Sequence, residues 1–158
     1  YLREKETDVV IPRFTRTYGT TMLMSDTKAV SQFIIKAAKG ENIILKSEGN
    51  QYYSYTYVAD AAAGLFTVML CGQCGEAYNI ADVKSDILLK DLAETAAKIS
   101  RTQVLFDLPG ATEKAGYSTA TKARLDGSKL KRLGWNMKYD IDAGMKRTIG
   151  ILKDVYGM

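Results

Sequence analysis

A chain of 158 residues, 46% hydrophobic and 25% charged, is long enough for one domain with a real core and too short to predict two. Its net charge of +4 and pI near 9.0 come from spread basic residues, with only a mild cluster between residues 122 and 138, so the long basic runs of a nucleic-acid binder are absent. Histidine is absent, which removes Ser–His and Cys–His nucleophilic machinery and most zinc sites, and no run approaches a membrane span or reads as a signal peptide. The first residue is Tyr1 rather than Met, so the sequence reads as a processed product or as a piece of something longer. Residues 1–158 are taken as a single unit.

Residues 1–7 are polar and read as the tail of a helix. Val9, Val10 and Ile11 form a β-branched run of the kind found in parallel strands buried on both faces. Pro12 cannot donate to a ladder, so it belongs near that strand's end. Thr15 to Gly19 then reads as a loop at the carboxyl edge of a sheet, where open α/β sheets bind ligands. After a methionine-containing loop, residues 28–39 predict an amphipathic helix. Ala29, Phe33 and Ala37 line up beside Val30, Ile34 and Ala38, with Ser25 or Asp26 to cap the start and Gly40 to end it. A short strand over 42–45 and a turn over 47–50 follow.

Residues 52–58 alternate, with Tyr53, Tyr55 and Tyr57 on one face and Ser54 and Thr56 on the other. Such a stripe is either a stacking surface for a base or sugar or the half-buried face of a strand. Asp60 is the expected cap of a helix running to Leu70, which Cys71-Gly72-Gln73-Cys74 closes. A redox dithiol would open a helix rather than end one, and no second cysteine pair completes a metal site, so this C-x-x-C reads as a helix terminus and turn. A strand over 76–81 comes next. Asp86 is the expected cap of a helix over 87–99, with Leu88, Leu89, Leu92, Ala93 and Ala96 on one face. A strand over 102–106, a long loop over 107–121, a short helix stopped by Gly134, and a final helix capped by Asp140 complete the chain. Ile141, Met145, Ile149 and Leu152 form the last helix's buried stripe. Alternating strands and helices argue α/β, although the strands are few and short for a self-contained doubly wound sheet.

Several stretches carry a family pattern in order. Arg13-Phe14-Thr15-Arg16-Thr17-Tyr18-Gly19 matches R-x-x-N-x-Y-G. Gly49-Asn50-Gln51 followed by Tyr57-Val58-Ala59-Asp60 matches G-x-Q-x-R-x-x-x-Y-V-x-D. Gly75-Glu76-Ala77-Tyr78-Asn79 matches G-E-x-Y-N. Asp126, Ser128-Lys129, Leu133-Gly134-Trp135 and Gly144 match a closing D-x-S-K…L-G-W…G. Over nearly its whole length the chain resembles the C-terminal half of the extended short-chain dehydrogenases, the NAD-dependent nucleotide-sugar epimerases and dehydratases. The nearest flavour is the UDP-glucuronate decarboxylase and dTDP-glucose 4,6-dehydratase branch.

The resemblance implies the C-terminal part of a Rossmann-like fold, a few sheet strands plus a small α/β substrate-binding subdomain, with the N-terminal NAD-binding part absent. The family's G-x-x-G-x-x-G turn does not occur in these residues. Tyr1-Leu2-Arg3-Glu4-Lys5 spells the family's Tyr-x-x-x-Lys pair, but Lys5 lies only eight positions before Arg13, whereas the catalytic pair precedes that strand by a whole helix. No catalytic, cofactor-binding or metal residue is therefore assigned, and NAD is expected only in the full-length protein. Arg16, Thr17, Tyr18, Lys28, Tyr53, Lys122 and Arg124 are the expected substrate-binding residues, for a nucleotide-diphosphate sugar. Arg16 stands where the family has asparagine, Thr20 and Thr21 where it has proline and often arginine, and Tyr53 where it has the phosphate-facing arginine. The competing reading is a non-catalytic interaction module that kept the fold and lost its ligand chemistry. Neither membrane nor nucleic-acid binding is expected, the location is expected to be cytoplasmic, and exposed sheet edges predict self-association, a homodimer being the expected form.

Overall fold

The computed structural model describes residues 7–108 and 120–158. Eight short strands and five α-helices alternate along them: β1 (Ile11–Phe14), β2 (Arg16–Tyr18), α1 (Ala29–Ala38), β3 (Ile43–Leu45), β4 (Tyr52–Tyr57), α2 (Val58–Cys71), β5 (Ala77–Ile80), β6 (Asp86–Leu88), α3 (Leu89–Ser100), β7 (Val104–Phe106), β8 (Lys122–Ala123), α4 (Ser128–Lys131) and α5 (Ile141–Tyr156). They make an α/β architecture of three small sheets.

β4 is the hub. Its second half pairs in parallel with β2, with Arg16 opposite Tyr55 and Tyr18 opposite Tyr57. Its first half pairs antiparallel with β6 and parallel with β8. Elsewhere β1 pairs with β5, and β3 with β7, both in parallel. Because β4 is paired and covered on both sides, Tyr53, Ser54, Tyr55, Thr56 and Tyr57 are all buried, so the tyrosines are core rather than a half-exposed face. Helices α1, α3 and α5 pack against one another, and with β4 they enclose the larger core, which includes Phe33, Ile34, Leu92, Met145 and Leu152. The apolar periods read from α1 and α5 are their buried stripes. Asp140 accepts from the Ala143 amide at 2.8 Å and so caps α5, while Gly40, at φ +70°, ends α1. A smaller core lies between α2, β5 and the segment after α4, where Val68, Tyr78, Ile80, Leu130 and Trp135 meet.

Several expectations require correction. The first strand is not buried on both faces: among the described residues it pairs with β5 alone, and Ile11 and Phe14 are 43% and 46% exposed. Pro12 lies inside β1, which an edge strand tolerates because the missing N–H can face outward. The segment after Arg13 is not a loop but enters β2. Asp60 is not the cap of α2, whose first residue is Val58; it lies in the first turn and accepts from the Lys138 and Tyr139 amides at 3.0 and 2.9 Å. Asp86 likewise does not cap α3; it opens β6, where it accepts from the Ser54 hydroxyl at 2.6 Å. Both carboxylates found acceptor work with partners far away in sequence. Cys71 and Cys74 are free and exposed at the end of α2. The Tyr1–Lys5 pair and most of the long loop over 107–121 lie outside the described residues. No described helix is long and apolar enough to cross a membrane.

Candidate ligand cleft

A concavity of about 1260 Å³ opens between β2 and β4 on one side and α1 with the 44–51 segment on the other. Its walls carry Arg16, Lys28, Lys36 and Lys46 against one carboxylate, Glu48. Thr27, Lys28, Ala29 and Val30 bring the start of α1 to the same space, and a helix N-terminus adds positive potential there. Asp26 organises that start by accepting from the Lys28 amide at 3.1 Å and the Ser31 hydroxyl at 2.9 Å. Those donors, the Lys28 amide first, hold its carboxyl below the usual range. The field inside the cleft therefore favours an anion.

The floor is aromatic. The Arg16 guanidinium carbon lies 3.5 Å from the centroid of the Tyr53 ring, and the Tyr53 hydroxyl donates to the Ala120 carbonyl at 2.6 Å. Tyr55 is beside it, its phenol pushed up to about 12 by burial and only partly drawn back by Arg16. A phenol held so far above neutrality is no proton acceptor at neutral pH. Thr15 and Thr56 share a 2.7 Å hydroxyl hydrogen bond where β2 begins.

Of the residues singled out from the sequence, Arg16, Thr17, Lys28 and Tyr53 line this cleft together. Lys28 is paired with Asp26 at 3.3 Å and is largely exposed. Lys122 faces an adjoining recess of about 640 Å³ with Tyr52, Asp86 and Asp91. Arg124 lines neither space; it rests 5.0 Å from the Tyr52 ring centroid and 3.5 Å from the Asp86 carboxylate. Tyr18 departs furthest from expectation. It is 4% exposed, packs against Tyr57, and its hydroxyl fills the space beside Gly144, where a Cβ would lie 2.2 Å from it. Burial raises its pKa. It is a core residue because it ends β2 where α5 lies over the strand, and the missing side chain of Gly144 leaves room for its hydroxyl.

Sequence reading passed over Lys46, Thr15 and Gln51. Gln51 was visible in the G-x-Q pattern, and its Oε1 is buried without a hydrogen-bond partner among the described residues while its side chain lines the cleft. Lys46 carried no signal, because it is one basic residue in a strand-to-turn segment.

The closing motif is structural. Asp126 accepts from the Ser128 amide and hydroxyl at 2.8 and 3.0 Å, starting α4. Lys129 pairs with Glu76 and donates to the Ala77 carbonyl at 3.0 Å. The Trp135 indole donates to the Asp60 carbonyl at 3.2 Å. Gly127 is required where it stands, since a Cβ would fall 1.8 Å from the Ala81 carbonyl oxygen.

The chain and its fold have known counterparts. The chain is 30% identical over 146 residues to UDP-glucuronic acid decarboxylase 6 of Arabidopsis thaliana, covering 92% of this chain and 41% of that protein. It is 28% identical over 152 residues to UDP-glucuronic acid decarboxylase 1 of Danio rerio, covering 94% and 34%. Its fold superposes on UDP-glucose 4-epimerase of Thermotoga maritima, solved with UDP-glucose, with a TM-score of 0.83 at 22% identity, over 98% of this chain and 48% of that one. The dTDP-glucose 4,6-dehydratase of Bacillus anthracis, solved with NAD, gives 0.80 at 18% identity over 98% and 47%. The chain thus spans less than half the length of these proteins, with the Rossmann-like α/β fold of their corresponding part. The NAD dependent epimerase/dehydratase family matches residues 1–81, half of the chain. The chain belongs to the NAD-dependent epimerase/dehydratase family.

Proposed function

We propose that this chain is the substrate-binding portion of an NAD-dependent nucleotide-sugar epimerase, dehydratase or decarboxylase, corresponding to the C-terminal half of such an enzyme. The observation that carries this reading is the cationic cleft, with four basic side chains, one carboxylate and an aromatic floor, built on the β2–β4 pair. A nucleotide-diphosphate sugar offers that surface an anion in its middle and flat or polyhydroxylated ends. In this role Arg16, Thr17, Lys28 and Tyr53 hold the ligand. Grip of this kind orients a sugar carbon against a reacting group supplied from elsewhere in the complete protein.

The turn from β4 into α2 does not fit the pyrophosphate of a dinucleotide. β4 passes directly into α2 through Tyr57 with no glycine in the turn, and the first turn of α2 carries the buried Asp60 carboxylate, which repels an anion at that helix start. NAD is accordingly assigned to another part of the complete protein, and no proton-abstracting group is assigned here.

Titration of the chain with UDP-glucose and UDP-glucuronate by calorimetry tests the proposal. The expected result is saturable binding that weakens as salt rises and survives omission of NAD. Failure of both nucleotide sugars to bind, or binding indifferent to salt, overturns it.

A further inference from the structure

Arg16 is placed as few surface arginines are. Its guanidinium carbon lies 3.5 Å from the Tyr53 ring centroid, a separation that only a face-on approach allows. Tyr53 is itself packed and anchored: it is 7% exposed, its backbone lies in β4, and its hydroxyl donates to the Ala120 carbonyl at 2.6 Å. A guanidinium laid on a fixed ring keeps its plane while its N–H donors point outward along that plane. Among the described residues no carboxylate lies within ion-pair distance of Arg16. Two other cations of the cleft are already engaged, Lys28 with Asp26 at 3.3 Å and Lys36 with Glu41 at 3.5 Å.

A planar, pre-oriented fork of donors with no internal acceptor, facing a cationic cleft, is suited to two oxygens of one anionic group. We propose that Arg16 is the diphosphate-gripping residue of the cleft and that Tyr53 is its positioning residue. This inference rests on the nucleotide-sugar reading and deepens it. The register explains the geometry. Arg16 stands opposite Tyr55, and Tyr53 lies two residues earlier on the same face of β4, so the side chain leans diagonally across the strand pair. In the family pattern an arginine occupies the Tyr53 position and an asparagine the Arg16 position. This chain delivers its guanidinium from the neighbouring strand and uses the vacated position as the ring it lies on.

The test is calorimetric titration of the chain and its variants with UDP and with uridine. R16A is expected to weaken UDP roughly 10- to 100-fold while changing uridine less than about 2-fold, because only the charged hydrogen bonds to phosphate are lost. R16K, a point charge without the fork, restores only part of the UDP affinity. Y53L weakens UDP several-fold when Arg16 is present and has no further effect in an R16A background, a non-additivity that a purely structural role for Tyr53 would not produce. Y53F, which keeps the ring, stays close to wild type. Unchanged UDP binding by R16A, with wild type still binding, overturns the inference and leaves the nucleotide-sugar reading intact. Equal losses for UDP and uridine also overturn it. A wild-type chain that binds neither UDP nor uridine overturns both.

Discussion

Around β4 the described chain encloses twenty buried apolar side chains between a sheet and three helices; around β5 it encloses five, between one strand pair, α2 and the tryptophan segment. The first region is closed: α1, α3 and α5 cover it and each presents a single apolar stripe. The second is open. Ile11 and Phe14 of β1, and Phe66, Met69 and Leu70 of α2, stand 43%, 46%, 59%, 59% and 81% exposed. Helix α2 is apolar nearly all round, whereas α5 is apolar on one side, and a helix of the former kind is ordinarily covered on more than one face. The ligand cleft belongs to the closed region, so its walls rest on the better-packed half. A polar joint links the regions beside the apolar contact of Val58: Asp60, buried on α2, binds two amides of the segment leading into α5.

Breaking that joint should have the largest effect. D60A strands two amides in partly buried surroundings and is expected to destabilise by about 3 kcal/mol in urea titration. A transition that splits in two would show the regions to be separately cooperative, and D60N should fall between D60A and wild type. Next comes the closed core. G144A places a methyl 2.2 Å from the Tyr18 hydroxyl and is expected to cost about 2 kcal/mol, read as a lowered Tm. Combining it with Y18F removes the clashing oxygen and should recover part of the loss; no recovery would mean that the backbone, not Tyr18, absorbs the strain.

The open region holds a buried acid, Asp82, 2.8 Å from Lys131. Burial alone would push its carboxyl up, but the Lys131 ammonium and the Lys84 amide outweigh this and hold it below the ordinary value. A depressed folded-state pKa contributes stability above the unfolded value, near pH 4, and loses it as pH falls through the lower folded value. D82N is expected to cost about 1 kcal/mol near neutral pH, since Lys131 is partly solvated, and to flatten the acid limb of the stability curve. An unchanged acid limb would remove the pair from the account. The smallest effect is expected at the bare face of α2: F66S/L70S should change stability by less than about 0.5 kcal/mol. It should also lower the average mass seen by light scattering if the isolated chain self-associates through that face. A large loss of stability would show the face to be covered after all.

Much of the closed region was legible in the sequence. The four-residue spacing of α1, the stripe of α5, the Asp140 cap and the glycine stops appear as read, because each is written within one turn or two of the chain. Arg16, Thr17, Lys28 and Tyr53 were also named from motif positions, and the fold gathers them on one cleft. Tyr18, Lys122 and Arg124 were named by the same reasoning and lie elsewhere. A motif gives neighbours along the chain, while a cleft is defined by neighbours across strands.

The sequence by itself determined the α/β alternation, the helical faces and the places where the backbone must turn, since these follow from side-chain period and from residues with unusual φ preferences. The tertiary structure alone decided what the buried polar groups are for. Asp60 lies in the first turn of α2 and Asp86 opens the strand before α3, positions that a local reading takes for caps, yet their oxygens meet amides and hydroxyls 32 to 79 positions away. It also decided that Arg16 should lie on the Tyr53 ring. A carboxylate or a guanidinium binds the partner that packing brings within 3 to 4 Å, and that partner is fixed by how strands and helices stack.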